Sequence, residues 1–597
     1  MKVKNTAGYT QDGIALACGG CVTLLIILIM SKDYPFVGHD YRYFIPRLID
    51  THLHMRINGP GIQWYTPSFG GGLPAFANPQ NIEYSIVQWL SYLINPWSAI
   101  LLSTAIISLT GYCFFYKLLH QKLELHWMSS ILGAMFFIGN GFYIEHLIVG
   151  HLGYQLFPLG AVALYALVDT RSNFLLNASV IAVVIALFIH QAGFYLFIIL
   201  MLSLGIALPI LFLYKPDIFK LRNIALTTVT FVILAVMMTS SKMYAVYSLM
   251  RHFPREVFDS YNVGLPQALM GMITQLLGVM VLGPIVMLTG QNPELLAGAF
   301  SNITGSEYGI WELDTGLSPV LVIFLFLGLA RAVRNIRTRV RLNLSHAQFA
   351  SLIILILMIW ITLEMVIAKG MIYTFTKQLP VLKSLHVNVR FAAAFILPLV
   401  LTGSIELHRY FISNPKPMYF GTSVLITSIF LLTFFSFSEF VHNRDFNVNS
   451  SNILHNEIQS GIRFDVIDIT DGSGWEGFVA HSSSYRPYEP VFGYELESFT
   501  PEIHPGKILE VRDGYFNMTN PVSLVFPEIN GLHLFERVKV SERDKLEIFL
   551  ARGQPEWKMP FTQKFLNVLS FIALVFTIGV LLIAGVIRIK VTIRNGT

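Results

Sequence analysis

The sequence predicts an all-α polytopic membrane protein with about 12 transmembrane helices and a small β-rich domain on the outer face. Three observations predict it. Hydrophobic residues make up 54% and charged residues only 13%, and mean hydropathy is +0.58; together these exclude an ordinary soluble domain. Apolar runs, each long enough to cross a hydrocarbon core of roughly 30 Å, recur along the chain. Residues 441–562 break the pattern with polar, alternating stretches and turn signals such as Asp471-Gly-Ser-Gly.

The runs fall near 12–30, 97–116, 127–143, 152–168, 174–190, 194–213, 224–240, 317–333, 347–367, 391–406, 418–439 and 563–587. The first lacks a small-x-small cleavage site and reads as a retained span that doubles as the targeting signal. Lys and Arg collect in alternate short loops, most densely between Arg331 and Arg341, which predicts cytoplasmic N- and C-termini. The net charge of +5 follows from those loops and gives no reason to expect a nucleic acid partner. Residues 260–293 are uncharged and fit no single crossing; a re-entrant or surface-lying helix pair broken near Gly283-Pro284 is expected. Cys18-Gly-Gly-Cys21 has redox spacing but lies inside the first span, where small residues at a helix contact are the simpler reading.

The domain organisation follows. Residues 1–440 form a transmembrane catalytic domain with a long first outer loop, 31–96. Residues 441–562 form the extracytoplasmic β-rich domain, and 563–597 the final transmembrane helix and cytoplasmic tail. With this topology the conspicuous polar residues outside the basic loops gather on the outer side. Gly38-His39-Asp40-Tyr41-Arg42 opens the first loop; Glu145, His146 and His151 form the second; Arg251, Glu307 and Glu312 flank the fourth; Lys383, His386 and Arg390 precede the tenth span. Ionisable groups at the membrane are costly and are functional candidates by default. Each has a bland rival: Asp40 paired with Arg42 in solvent, Arg390 snorkelling to headgroups, His151 and His190 packing between helices. Gly70-Gly-Gly72 reads as a flexible turn, since no strand–helix context or Lys-Ser/Thr follows it.

A first span, a long outer loop with an early acid, and re-entry after Ala77-Asn-Pro-Gln together resemble the GT-C superfamily of membrane glycosyltransferases. The segment Leu379-Pro-Val-Leu-Lys-Ser-Leu-His-Val-Asn-Val-Arg-Phe is similar to a late-loop pattern in uncharacterised bacterial branches, and Glu307-Tyr-Gly-Ile-Trp-Glu to another. The resemblance implies a GT-C-like fold in a bacterial inner membrane, and transfer of a hexosyl or pentosyl unit from a polyprenyl-phosphate-linked sugar donor to a glycan, glycolipid or protein acceptor. It implies Asp40 and Glu145 as the catalytic acids. His39, Arg42, His146, Arg251, Glu307, Lys383, His386 and Arg390 are the substrate-binding candidates. The chemistry agrees: an oxocarbenium-like transfer needs a base for the acceptor hydroxyl and cations for the departing phosphate. No Asp-x-Asp stands in the first loop and the histidines lack a tight metal spacing, so neither a metal nor another cofactor is expected. Competing expectations are a transporter or flippase of lipid-linked glycans and a glycan polymerase.

Overall fold

Each apolar run becomes helix over its described residues. The computed structural model describes residues 6–170, 172–253, 264–290, 310–338, 344–383, 385, 387–413, 416–436, 444–461, 465–471, 477, 481–491 and 502–596. In order, the helices are α1 (Thr6–Met30), α2 (Tyr41–Asn58), α3 (Ile86–Ser91), α4 (Pro96–Lys117), α5 (Trp127–Ile138), α6 (Gly141–Val149), α7 (Leu159–Val168), α8 (Phe174–His190), α9 (Phe194–Tyr214), α10 (Leu221–Met250) and α11 (Leu265–Leu288). Pro319–Arg337, His346–Ile367, Ile396–Ser413, Pro417–Ser436 and Phe561–Gly596 follow. Among the described residues 8 helices are long and apolar enough to cross a membrane; Leu152–Val168, Phe174–His190 and Tyr419–Ile429 are shorter apolar helices.

Local chemistry sets the boundaries. Asn95 accepts from the Ser98 N–H at 2.9 Å with Pro96 in the first turn, so α4 starts where its orphan donors are satisfied. The run 127–143 divides into α5 and α6 because Asn140 caps a new helix, accepting from the Tyr143 N–H at 2.9 Å. Small and polar residues join α10 to the last helix: Ser240 and Ser570 hydroxyls meet at 3.1 Å, and Ser241 donates to Asn567 at 2.6 Å.

α11 is broken at Gly278, not near Gly283-Pro284 as the sequence predicts. Gly278 adopts φ 59°, ψ −171°, where a side chain is excluded; a Cβ there would stand 2.0 Å from Asp314 Oδ1. The break frees the carbonyls of Gln275 and Leu276, which accept from the N–H groups of Thr315 (3.1 Å) and Leu317 (3.0 Å). Two carbonyls of the irregular backbone are thus paired within protein. The proline drew the expectation five residues downstream, but it is the approach of the 314–317 chain that demands the glycine.

The first loop and residues 444–562 interlock. Phe36–Val37 pairs antiparallel with Phe446–Asn447. The Gly70-Gly-Gly72 turn is docked rather than flexible: Gly70 N–H donates to Ser484 O (2.7 Å) and Gly71 O accepts from Thr519 N–H (2.9 Å). Residues 444–562 hold two three-stranded sheets, with Asp468–Thr470 and Tyr515–Thr519 central, alongside helices Asn449–Gln459 and Arg543–Leu550. Their small core of Val466, Ile469, Ile503, Phe516 and Phe549 takes in Tyr65 from the first loop. Lys242 of α10 is buried and donates to the carbonyls of Phe76 (2.6 Å) and Asn78 (2.8 Å), tying the loop down to the helices.

The strongest tie is at Asp50. Its carboxylate, 2% exposed, accepts from Gln63 at 2.7 Å, Ser68 at 2.5 Å and Arg552 at 2.6 Å. Removing one partner of a buried ion pair strands the other charge, typically at about 3–5 kcal/mol. We therefore expect Arg552→Met to lower unfolding stability in detergent by that order and to open residues 444–562 to limited proteolysis. An unchanged midpoint and cleavage pattern would show that the two segments hold together without this pair.

Candidate active site

Asp40 stands at the start of α2, where its carboxylate is set against the end of α6 by backbone packing. Asp40 N–H donates to Val149 O at 3.0 Å, and the Tyr41 hydroxyl donates to Leu147 O at 2.5 Å. Gly38 permits this approach, since a Cβ there would lie 2.1 Å from Ile148 O. Asp40 is therefore 8% exposed, yet ringed by donors. His151 Nε2 contacts Oδ2; His39 Nε2 (3.1 Å) and the Tyr488 hydroxyl (3.0 Å) both reach Oδ1. Burial pushes the Asp40 carboxyl up, but His151 and His39 outweigh it and hold it well below the ordinary carboxylate range. The hydrogen bond to Asp40 in turn raises His39 above its ordinary value, against the opposing effect of burial.

A second cluster adjoins the first. His146, fully buried, has its Nδ1 against Phe142 O at 2.8 Å and its Nε2 3.6 Å from Glu312. Glu312 receives the Arg390 guanidinium through both oxygens, Nε at 2.6 Å and Nη2 on the other. Arg390 lies over the rings of Tyr154 (5.2 Å) and Tyr195 (4.9 Å). Burial raises the Glu312 carboxyl, but Arg390 overrides it and keeps the group well below its usual range. The broken helix α11 positions this pair, because the Gln275 amide donates to the carbonyls of both Glu312 (3.0 Å) and Val389 (3.1 Å). The two clusters meet where the rings of His146 and His151 lie 5.1 Å apart.

The structure thus gathers His39, Asp40, His146 and Arg390 from the substrate and catalytic candidates, brings in His151 and Glu312 from the other outer-side polar residues, and adds Tyr154 and Tyr488. Glu145 is buried in α6, where its charged neighbours are Asp314 and Arg444; it is not among the partners of Asp40. Arg42 pairs with Asp445 at 2.6 Å rather than with Asp40. Arg251 pairs with Glu528 at 3.0 Å on the surface, and Lys383 is exposed. Glu307 and His386 lie outside the described residues. Tyr488 was illegible in sequence, being far along the chain in a segment without periodicity. His151 follows the left-handed Gly150 that ends α6, which was the available signal that it turns away from the helix.

His146, His151 and Glu312 could hold a metal ion: each offers a ligand atom within 4.8 Å of the others. The His146 Nδ1 contact to a backbone carbonyl would orient Nε2 for such a role. Glu312 and His151 are, however, engaged by Arg390 and Asp40, so a cation would compete with the guanidinium for the carboxylate.

No protein-family profile matches the chain, and no curated protein matches it. Among solved structures, it is similar over 72% of its length to a cryo-EM structure of the arabinofuranosyltransferase AftD from mycobacteria, with a TM-score of 0.41 and 15% identity. The chain spans 27% of the length of that protein.

The His39–Asp40 pair gives a signed pH dependence. A histidine raised above its ordinary 6.5 adds stability fully present below that value and lost as pH rises through the higher folded value. Asp40, lowered from 3.8, contributes stability that is lost only as pH falls far below that value. The thermal midpoint of the wild type should therefore fall between about pH 6 and about pH 9 by more than that of His39→Asn. Parallel profiles for the two proteins would contradict the pairing.

Proposed function

We propose that the protein is a membrane glycosyltransferase that moves one sugar from a polyprenyl-phosphate donor to a glycan, glycolipid or protein acceptor at the outer face of the membrane. One observation carries the reading: a buried carboxylate, kept ionised by two histidines, joined through His151 and His146 to a buried Arg390–Glu312 pair. Displacement of a phosphate from an anomeric carbon calls for a proton acceptor and a nearby guanidinium, and the two lie side by side here.

The chemistry can be written on these residues. His151 Nε2 contacts the Asp40 carboxylate, and its Nδ1 is buried with no hydrogen-bond partner among the described residues. The Asp40–His151 pair takes the proton of the acceptor hydroxyl as its oxygen bonds to the anomeric carbon. The bond from that carbon to the phosphate oxygen breaks, and its electron pair leaves with the polyprenyl phosphate. His39 and Arg390 are the cations assigned to the phosphate, and Tyr488 fixes the Asp40 carboxylate from the far segment.

The broken α11 favours one alternative, a transporter of lipid-linked sugars, since interrupted helices line such pathways. A single assay separates the two. Proteoliposomes carrying the wild type, Asp40→Asn or His151→Ala would be supplied with radiolabelled polyprenyl-phosphate sugars and mixed acceptors. We expect transfer by the wild type and at least a hundredfold loss in both variants, each with normal insertion and gel-filtration behaviour. Undiminished transfer by Asp40→Asn would remove the residue from the reaction. Movement of lipid-linked sugar across the bilayer without transfer would establish the transporter.

A further inference from the structure

Asp40, Tyr43, Arg47, Asp50 and His54 follow one another at three- and four-residue spacing, so they share one face of the α2 region. The face begins at the candidate active site. At its far end, about 21 Å away at 1.5 Å per residue, His54 lines a cleft of about 470 Å³ closed by residues 549–559.

The lining is aromatic. Trp64, Tyr65, Phe549 and Trp557 supply four aromatic rings, with Tyr65 and Phe549 edge-on to Trp557 at 5.1 Å and 5.4 Å. Trp64, Tyr65 and Trp557 are half-buried. Among the described residues, neither indole N–H nor the Tyr65 hydroxyl makes a hydrogen bond or is sealed from solvent, so all three donors are open to an incoming acceptor. Three donors beside aromatic faces are thus left for something else. The charge of the lining narrows what that is. Burial holds His54 below its ordinary range, hence neutral, and Lys558 is the one other ionisable side chain of the lining besides Tyr65. The cleft has no cluster of cations for a phosphate and no carboxylate for a basic ligand.

We propose that this cleft binds neutral saccharide units, as a subsite for an acceptor glycan extending from the Asp40 site along α2. The C–H faces of a sugar ring pack on aromatic faces, and its hydroxyls are the acceptors that the free indole and phenol donors lack. The cleft abuts the last helix, which begins at Phe561, so a rival occupant is a lipid headgroup gathered by an interfacial aromatic belt. Uncharged lining and rings turned edge-on to one another favour the sugar. The inference rests on the glycosyltransferase reading for its role, not for its binding.

The test is direct binding of the full-length protein in nanodiscs to an array of neutral hexose and pentose oligosaccharides, on an Asp40→Asn background so that nothing turns over. We expect at least one oligosaccharide to be retained, with about tenfold weaker binding in Trp557→Ala and a smaller loss in Gln554→Ala, an exposed rim position whose amide contacts His54 and donates to Ile62 O. No retained oligosaccharide, or equal binding by the Trp557 variant, would overturn the proposal. So would a Trp557→Ala protein that loses affinity for phospholipid vesicles but not for sugars. Array binding without any transfer by the Asp40 wild type would leave the cleft standing and remove the enzyme reading; transfer without array binding would do the reverse.

Discussion

The structure depends on keeping the Asp40 carboxylate charged while it is buried. An isolated ion taken out of water costs several kcal/mol even after relaxation, so the site must supply partners from wherever the fold can bring them. They come from three places: His39 beside it, His151 after α6 and Tyr488 in the 444–562 segment, while Val149 O fixes the position of the residue by accepting from its backbone N–H. None of these works alone. The turn at Gly38 must be tight, α6 must end at Gly150, and the distal segment must close over the loop.

That requirement explains why the outer segment is not an appendage. Arg47 bridges to Glu489 at 2.7 Å, next to Tyr488, while Asp50 is held by Arg552. The α2 face that presents Asp40 is therefore the same face that anchors residues 444–562. Any change that loosened the segment would withdraw the Tyr488 hydroxyl and shift the charge balance of the site. A parallel economy operates deeper in the bundle, where the break at Gly278 lets Gln275 hold the carbonyls beside both members of the Glu312–Arg390 pair.

Much of this was legible before any coordinates. Hydropathy located the spans because lipid imposes length and apolarity on every crossing helix, and the position of Asp40 early in a polar loop singled it out. The partners were not legible. His151 looked like a packing residue because a histidine near a helix end carries no periodic signature of its bonding. Tyr488 is one of many tyrosines, and only closure of the distal segment gives it a role. Arg390 was read as a phosphate ligand from its charge and place; the fold also gives it a carboxylate partner, Glu312, that sequence distance conceals. The β-rich expectation for residues 441–562 followed from alternation; the helices Asn449–Gln459 and Arg543–Leu550 within it were masked by their polar composition.

The measurement that bears most directly on the account is a cryo-EM structure with a phosphonate analogue of a polyprenyl-phosphate sugar, whose bond to the anomeric carbon cannot break. The account predicts the anomeric carbon beside the Asp40–His151 pair and the phosphonate toward His39 and Arg390. Density for the sugar at the opposite end of the helices, or an analogue bound with Asp40 still sealed beneath Tyr488 and out of reach, would contradict it.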